Sequence, residues 1–194
     1  MPPILNIIHL PNRLDRLQSF MEEMQIQSIP YRVWPGVTTH TAYTNHRNIS
    51  IAHKNIVRDA KEKGLPYVII AEDDIKFSCA GAWKYYLSQM PLSFDLYCGV
   101  IYAGEVDPQT NRIVSTKGMS GTNTLYTISS RFFDFFLSVD ESKHLDRELG
   151  RFGNINEYYV CNPMVVFQMG GMSDNHHREL HYDEYLRDIK LYGQ

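Results

Sequence analysis

Three consecutive carboxylates, Glu72, Asp73 and Asp74, close the apolar run Val68 to Ala71. Like charges packed so closely repel one another, and core packing gains nothing from them. A divalent cation reverses the balance, because Mn²⁺ and Mg²⁺ are hard ions that take carboxylate oxygens as ligands. Residues two apart in an extended chain point the same way. Glu72 and Asp74 therefore form an acidic pair, and Asp73 faces elsewhere, towards a capping or supporting role. Asp74 is the candidate direct ligand; Glu72 is a second ligand or reaches a ribose or a bound water. Such a pair suits a phosphate-bearing substrate, whose charge the cation neutralises. A solvated acidic loop is the plain alternative.

Other polar residues flank this stretch. Arg13 and Arg16 follow the first strand candidate, where a doubly wound sheet places a nucleotide. A planar guanidinium can fork onto diphosphate or carboxylate. Arg13 is the preferred contact, whereas Arg16 is equally readable as a helix residue paired with Asp15 or Glu23. His53 lies in a helix just upstream of the acidic strand, where it reads as a structural residue. Gln168 can satisfy sheet backbone, and His176 lies beside His177 in a polar tail.

The elements that must carry these residues alternate. A strand over Ile4 to Leu10 precedes a helix that Asn12 can cap, with Leu14, Leu17, Met21 and Met24 at helical spacing. Tyr31 to Trp34 reads as a strand and Thr38 to Asn48 as a loop. Ser50 can cap a second helix through Lys63, stopped by Gly64 and Pro66. The acidic strand follows directly. A helix around Trp83 to Met90 and a strand over Phe94 to Tyr102 come next. Asp107 to Thr110 suits a hairpin turn and Lys117 to Gly121 a mobile loop. Asn123 to Ile128 reads as a strand before a helix containing Phe132 and Phe136. Strands around Pro163 and a tail helix from Arg178 complete the pattern. This alternation predicts an α/β fold with a Rossmann-type, mainly parallel sheet flanked by helices, in one domain over 1–194.

Composition narrows the function. The 194 residues are 43% hydrophobic and 21% charged with a net charge of −3, and no Lys/Arg cluster offers a nucleic-acid footprint. Cys79, Cys98 and Cys161 lack C-x-x-C spacing, which argues against a zinc site and for a reducing compartment. The opening MPPILNIIHLPNR has too short an apolar part and no basic leader for a signal peptide. No run approaches the ~18 apolar residues of a bilayer span. The expected location is the cytoplasm, extending to peripheral attachment at the inner membrane.

Several blocks resemble glycosyltransferase family 25. IIHLPNRLDRLQSF is similar to its opening strand and turn. ISIAHKNIVRDAKEKGLPYVIIAEDDIKF is similar to its "S-H … I-L-E-D-D" segment, with Ala52 where the family has Ser. GTNTLYTISSRFFDFFL resembles its "G-T-x-x-Y-x-x-S" block, and NPMVVFQMGGMSDN its terminal "P-x-x-x-Q-x-x-x-S-D" motif. His9 stands where the family has Asn. The resemblance implies a GT-A-like fold, a nucleotide diphosphate sugar donor (a UDP-sugar foremost) and a divalent cation. It also implies inversion at the transferred hexose, galactose being one candidate, donor contacts from His53 and Gln168, and His176 as a candidate further metal ligand. The implied acceptor is a glycan such as lipooligosaccharide.

An inverting transfer needs a base for the acceptor hydroxyl, and the resemblance points to Asp146, with Asp174 as the other candidate. A surface carboxylate beside Arg147 is the plain reading of Asp146. Two further classes stand beside this one. A nucleotidyltransferase would need a glycine-rich loop after the first strand, where this chain has LPNRLDR. A non-catalytic sugar- or nucleotide-binding protein on the same fold is the alternative to an enzyme.

Overall fold

A computed structural model describes residues 2–38, 45–114, 119–173, 178–182, 186 and 189–194. Strand β1 (Leu5–His9) leads into helix α1 (Leu14–Gln27), strand β2 (Tyr31–Pro35), helix α2 (Asn45–Glu62) and strand β3 (Tyr67–Glu72). After β4 (Ile75–Phe77) come α3 (Ala82–Ser88), β5 (Leu96–Cys98) and β6 (Leu125–Ser129). Helices α4 (Phe133–Ser138) and α5 (Leu145–Gly150) precede β7 (Tyr158–Val160), β8 (Val166–Gln168), β9 (Gly171–Ser173) and β10 (Arg178–Leu180).

The central sheet runs β2-β1-β3-β6-β5-β7. Pairing is parallel except where β6 runs against β3 and β5. The expected mainly parallel α/β sheet is therefore what the chain forms. β3 shows why its sequence reads as an unbroken apolar run: both faces are covered. Val68 and Ile70 pack with Ile56, Val57 and Phe136 of α2 and α4 on one side. Ile69 and Ala71 pack with Phe20, Met24 and Trp83 of α1 and α3 on the other. From β1 the chain first passes to β2 on one side and then returns to β3 on the other. The carboxyl ends of β1 and β3 thus flank a switch point, where open α/β sheets bind ligands.

Three local expectations are corrected. Helix α2 starts at Asn45, so Ser50 is a buried interior residue and not its cap. Its polar first turn is helical because that turn is packed against the rest of the molecule, and tertiary packing overrides propensity. The tail from Arg178 begins as a strand: β10 pairs antiparallel with β9, Leu180 opposite Gly171. Regular pairing of the Phe94 to Tyr102 segment is confined to β5, because Gly99 N–H turns to the Leu125 carbonyl at 2.8 Å.

Candidate active site at the carboxyl ends of β1 and β3

A cleft of about 850 Å³ opens over the switch point, within the range typical of small-molecule sites. Its lining includes Arg16, His53, Glu72, Asp73, Asp74, Asp146 and Gln168. Residues spread from position 16 to 168 are thereby brought to one wall or another of a single cavity.

The acidic triplet forms the floor. β3 ends at Glu72, and Asp73 and Asp74 occupy the turn into β4, so strict strand alternation stops one residue early. The three carboxylates still differ in surroundings. Asp73 is saturated: one oxygen lies 2.7 Å from His9 Nδ1 and the other accepts from Arg16 at 3.0 Å. Of these two partners, His9 is the one no motif announced. Glu72 is held from two sides, by His53 Nε2 at 3.3 Å and by Gln168 Nε2 at 3.4 Å. An ionised carboxylate only accepts, so His53 donates through Nε2. Its Nδ1 then accepts the Tyr126 hydroxyl at 2.5 Å. His53 is fully buried and acts as the brace of Glu72.

Asp74 is the exception. Arg16 lies 3.2 Å from its Oδ2, whereas its buried Oδ1 has no hydrogen-bond partner among the described residues. Burial, then the neighbouring Glu72 charge, push its carboxyl up to about 7 against the opposing pull of Arg16. Buried polar atoms are rarely left unpaired. An orphan oxygen beside a second carboxylate is the donor set a hard divalent cation takes.

Among the described residues no group of three or more His, Cys, Asp or Glu side chains is arranged to hold a metal. The unpaired Asp74 oxygen beside Glu72 is the one observation here that a divalent cation would answer.

Of the two arginines, the structure brings Arg16 to the triplet and not to Asp15 or Glu23. Arg13, the preferred candidate, forks onto Asp15 at 2.8 and 3.0 Å and donates to the Met172 carbonyl at 3.0 Å. Glu23 is taken by Lys76 and by the Phe77 N–H. Gln168 reaches the floor because β8 pairs with β4, Gln168 opposite Ile75. Its own N–H donates to the Tyr102 hydroxyl at 2.7 Å.

Asp146 stands on another wall, in the first turn of α5. Its Oδ1 accepts the Arg147 N–H at 2.8 Å and its Oδ2 the Gly121 N–H at 3.3 Å. Burial raises its pKa, with a further contribution from Glu72, so it is more than a surface carboxylate beside Arg147. Gly121 has φ +78°, and a Cβ there would sit 2.2 Å from the Tyr102 ring, so only glycine can present that N–H. The rings of His46 and His144, tilted by 44° with centroids 3.6 Å apart, border the same wall. The sequence reading missed them, along with His9 and Tyr102, because no fixed spacing links them. Asp174 and His176 lie outside the described residues, as do 117–118 of the Lys117 to Gly121 loop.

No protein-family model matches the chain, and no curated protein matches it. Solved structures do. A197 from STIV is 10% identical, with a TM-score of 0.55 over 93% of each chain, and shares the fold. A Drosophila β1,4-galactosyltransferase 7 mutant in complex with manganese, UDP-Gal and xylobiose gives 0.49 at 10% identity, over 97% of this chain and 74% of that one. HddC from Yersinia pseudotuberculosis, complexed with GMP-PN, gives 0.48 at 11% identity, over 86% and 92%. The class defined so far is a mainly parallel α/β protein with an acidic cleft at its switch point. No described helix is long and apolar enough to cross a membrane.

Proposed function

We propose that this protein is a GT-A-like glycosyltransferase. It moves a hexose from a nucleoside diphosphate sugar, a UDP-sugar foremost, to a hydroxyl of a glycan acceptor, with inversion at the transferred carbon. The observation that carries this reading is the buried, unpaired Oδ1 of Asp74 beside Glu72 on the cleft floor. The resemblance of the sequence blocks to family 25 supplies the particulars, galactose among the candidate sugars and lipooligosaccharide among the acceptors, and the cysteine usage supports a cytoplasmic site of action.

A divalent cation held by Asp74 and Glu72 would neutralise charge on the leaving diphosphate. The chain's own residues do the rest. His53 and Gln168 fix the Glu72 carboxylate, and His9 with Arg16 fixes Asp73, so the floor is preorganised before the donor arrives. Arg16 also presents a cation at the edge of the diphosphate position. Asp146 accepts the proton of the acceptor hydroxyl as that oxygen attacks the anomeric carbon. Its two backbone N–H contacts keep the carboxylate aimed, and its burial keeps it basic enough to act. Asp174 stands as the alternative base and His176 as a further metal ligand.

The test is thermal unfolding with Mn²⁺ and a UDP-sugar. Wild type is expected to gain stability from the pair together, and Asp74→Asn to lose that gain while remaining folded. Equal shifts in the two proteins would sink the metal assignment. Release of UDP on incubation then separates an enzyme from a binding protein on the same fold.

A further inference from the structure

One wall of the cleft carries a second unsatisfied group. Asn48 is 4% exposed, lines the cleft from α2, and its Oδ1 has no hydrogen-bond partner among the described residues. A buried amide oxygen without a partner is expensive to leave in a folded chain. Its neighbours lining the cleft from α2 are mixed: Asn45, His46 and His53 are polar, Ile49 and Ala52 apolar.

Position along α2 says what would meet this amide. His53 of the helix contacts Glu72 on the floor. His46, about two turns earlier, meets the ring of His144, two residues before Asp146. Those contacts lie roughly 10 Å apart along the axis at 1.5 Å per residue. Asn48 and Ala52 fall between them. In the proposed reaction the leaving diphosphate lies at the floor and the base at Asp146, so the sugar in transit must occupy the space between. A pyranose ring suits that interval. Its hydroxyls donate and accept, which is what a buried amide with an apolar neighbour selects.

We infer that Asn48 is a specificity-determining residue that hydrogen-bonds a hydroxyl of the donor's hexose, with Ile49 and Ala52 as the apolar side of that subsite. This inference rests on the glycosyltransferase reading. Sites built to bond a hydroxyl discriminate strongly against analogues lacking it, because the protein group is then left unpaired. The half of the donor that Asn48 reads is the sugar and not the nucleotide.

The experiment is calorimetric titration in Mn²⁺ of wild type, Asn48→Ala and the isosteric Asn48→Leu with UDP, UDP-galactose, UDP-glucose and the monodeoxy forms of the better hexose donor. Both substitutions remove an unsatisfied buried group, so the unfolding midpoint without ligand should hold or rise. Should the alanine variant fold poorly, the leucine variant, which keeps the volume, carries the comparison. The expected result is that UDP affinity stays within about twofold while the hexose donor weakens about 5- to 30-fold. One monodeoxy donor should bind wild type and variant alike, which identifies the hydroxyl. Equal losses for UDP and UDP-hexose, or no loss for any sugar, overturn the assignment of Asn48 and leave the glycosyltransferase reading standing. No binding of UDP to wild type in Mn²⁺ overturns both.

Discussion

The floor of the cleft and its α5 wall treat buried charge in opposite ways. On the floor, three carboxylates crowd together, and two of them are braced by His9, Arg16, His53 and Gln168. Asp74 is left with one oxygen unused and its pKa raised. On the wall, a single carboxylate, Asp146, accepts from two backbone N–H groups and has no arginine side chain bonded to it among the described contacts. The floor suits a group that stays charged and shares its charge with a cation. The wall suits a group that gains and loses a proton. Both carboxylates are raised by burial, yet their partners send them to different tasks, which is how one site runs two kinds of chemistry.

The largest effect should come from the floor. Asp74→Asn removes the unused oxygen's charge and is expected to lower UDP release by at least about 10³-fold, since several kcal/mol of charge stabilisation go with the cation. Retained turnover in the variant, measured with Mn²⁺ titrated to saturation, would erase the distinction between the two carboxylates. The wall should respond in another way. Asp146→Asn is expected to cost about 10²- to 10⁴-fold in turnover while donor affinity and the Mn²⁺-dependent thermal shift remain. A loss of donor binding instead would move Asp146 to the donor side and hand the base to Asp174.

A third expectation concerns the fold without cation. The native carboxyl of Asp74 sits at about 7 and an unfolded one at about 3.9. The folded state therefore holds the extra proton between those values. Stability is greatest below about pH 4 on this account and falls as pH rises through 7. The pull should amount to about 2–4 kcal/mol at pH 8. Chemical denaturation of wild type and Asp74→Asn at pH 5 and pH 8, without divalent ions, measures it as the difference between the two proteins. The variant should lack this slope and be the more stable at pH 8. If Asp74→Asn is instead less stable there, Asp74 serves the fold through Arg16 and the floor is structural. Mn²⁺ should stabilise wild type more at pH 8 than at pH 6, because protons compete for the same oxygen.

Much of the floor was legible in the sequence, because strand β3 and its carboxylates are contiguous and the alternation of apolar runs fixes which end of the sheet they reach. The distinct surroundings of Asp73 and Asp74 were less so. They depend on His9 and Arg16, supplied by β1 and α1, and no spacing rule links position 9 to position 73. The wall was legible only through resemblance, since Asp146, Gly121 and the His46–His144 pair meet across large separations. Helix α2 was misread at its start for a related reason. Its polar first turn looks like a loop locally, and only the cleft it faces explains why Asn45 and Asn48 are helical. Strand β10 was misread as the start of a helix because Leu180 stands at helical spacing with Tyr185, Leu186 and Ile189, and pairing with β9 overrides that spacing at Arg178–Leu180.

The two arginines give the finest test of the floor against its surroundings. Both arginines donate to the Met172 carbonyl, but Arg16 also bonds Asp73 and approaches Asp74, while Arg13 forks onto Asp15. Donor titration with Mn²⁺ should therefore separate them. Arg16→Ala is expected to weaken UDP binding about tenfold, the worth of a charge-assisted contact. Arg13→Ala should change it by no more than about twofold, because its carboxylate partner is the exposed Asp15 and not the acidic triplet. Arg16→Lys keeps the charge but not the fork, so partial recovery would mean that charge matters more than geometry. The reverse ranking would mean that β9, through Met172, is part of the donor site and that Arg13 acts by holding it there. Equal small effects for both would confine Arg16 to cancelling charge on the floor, with the diphosphate held by the cation alone.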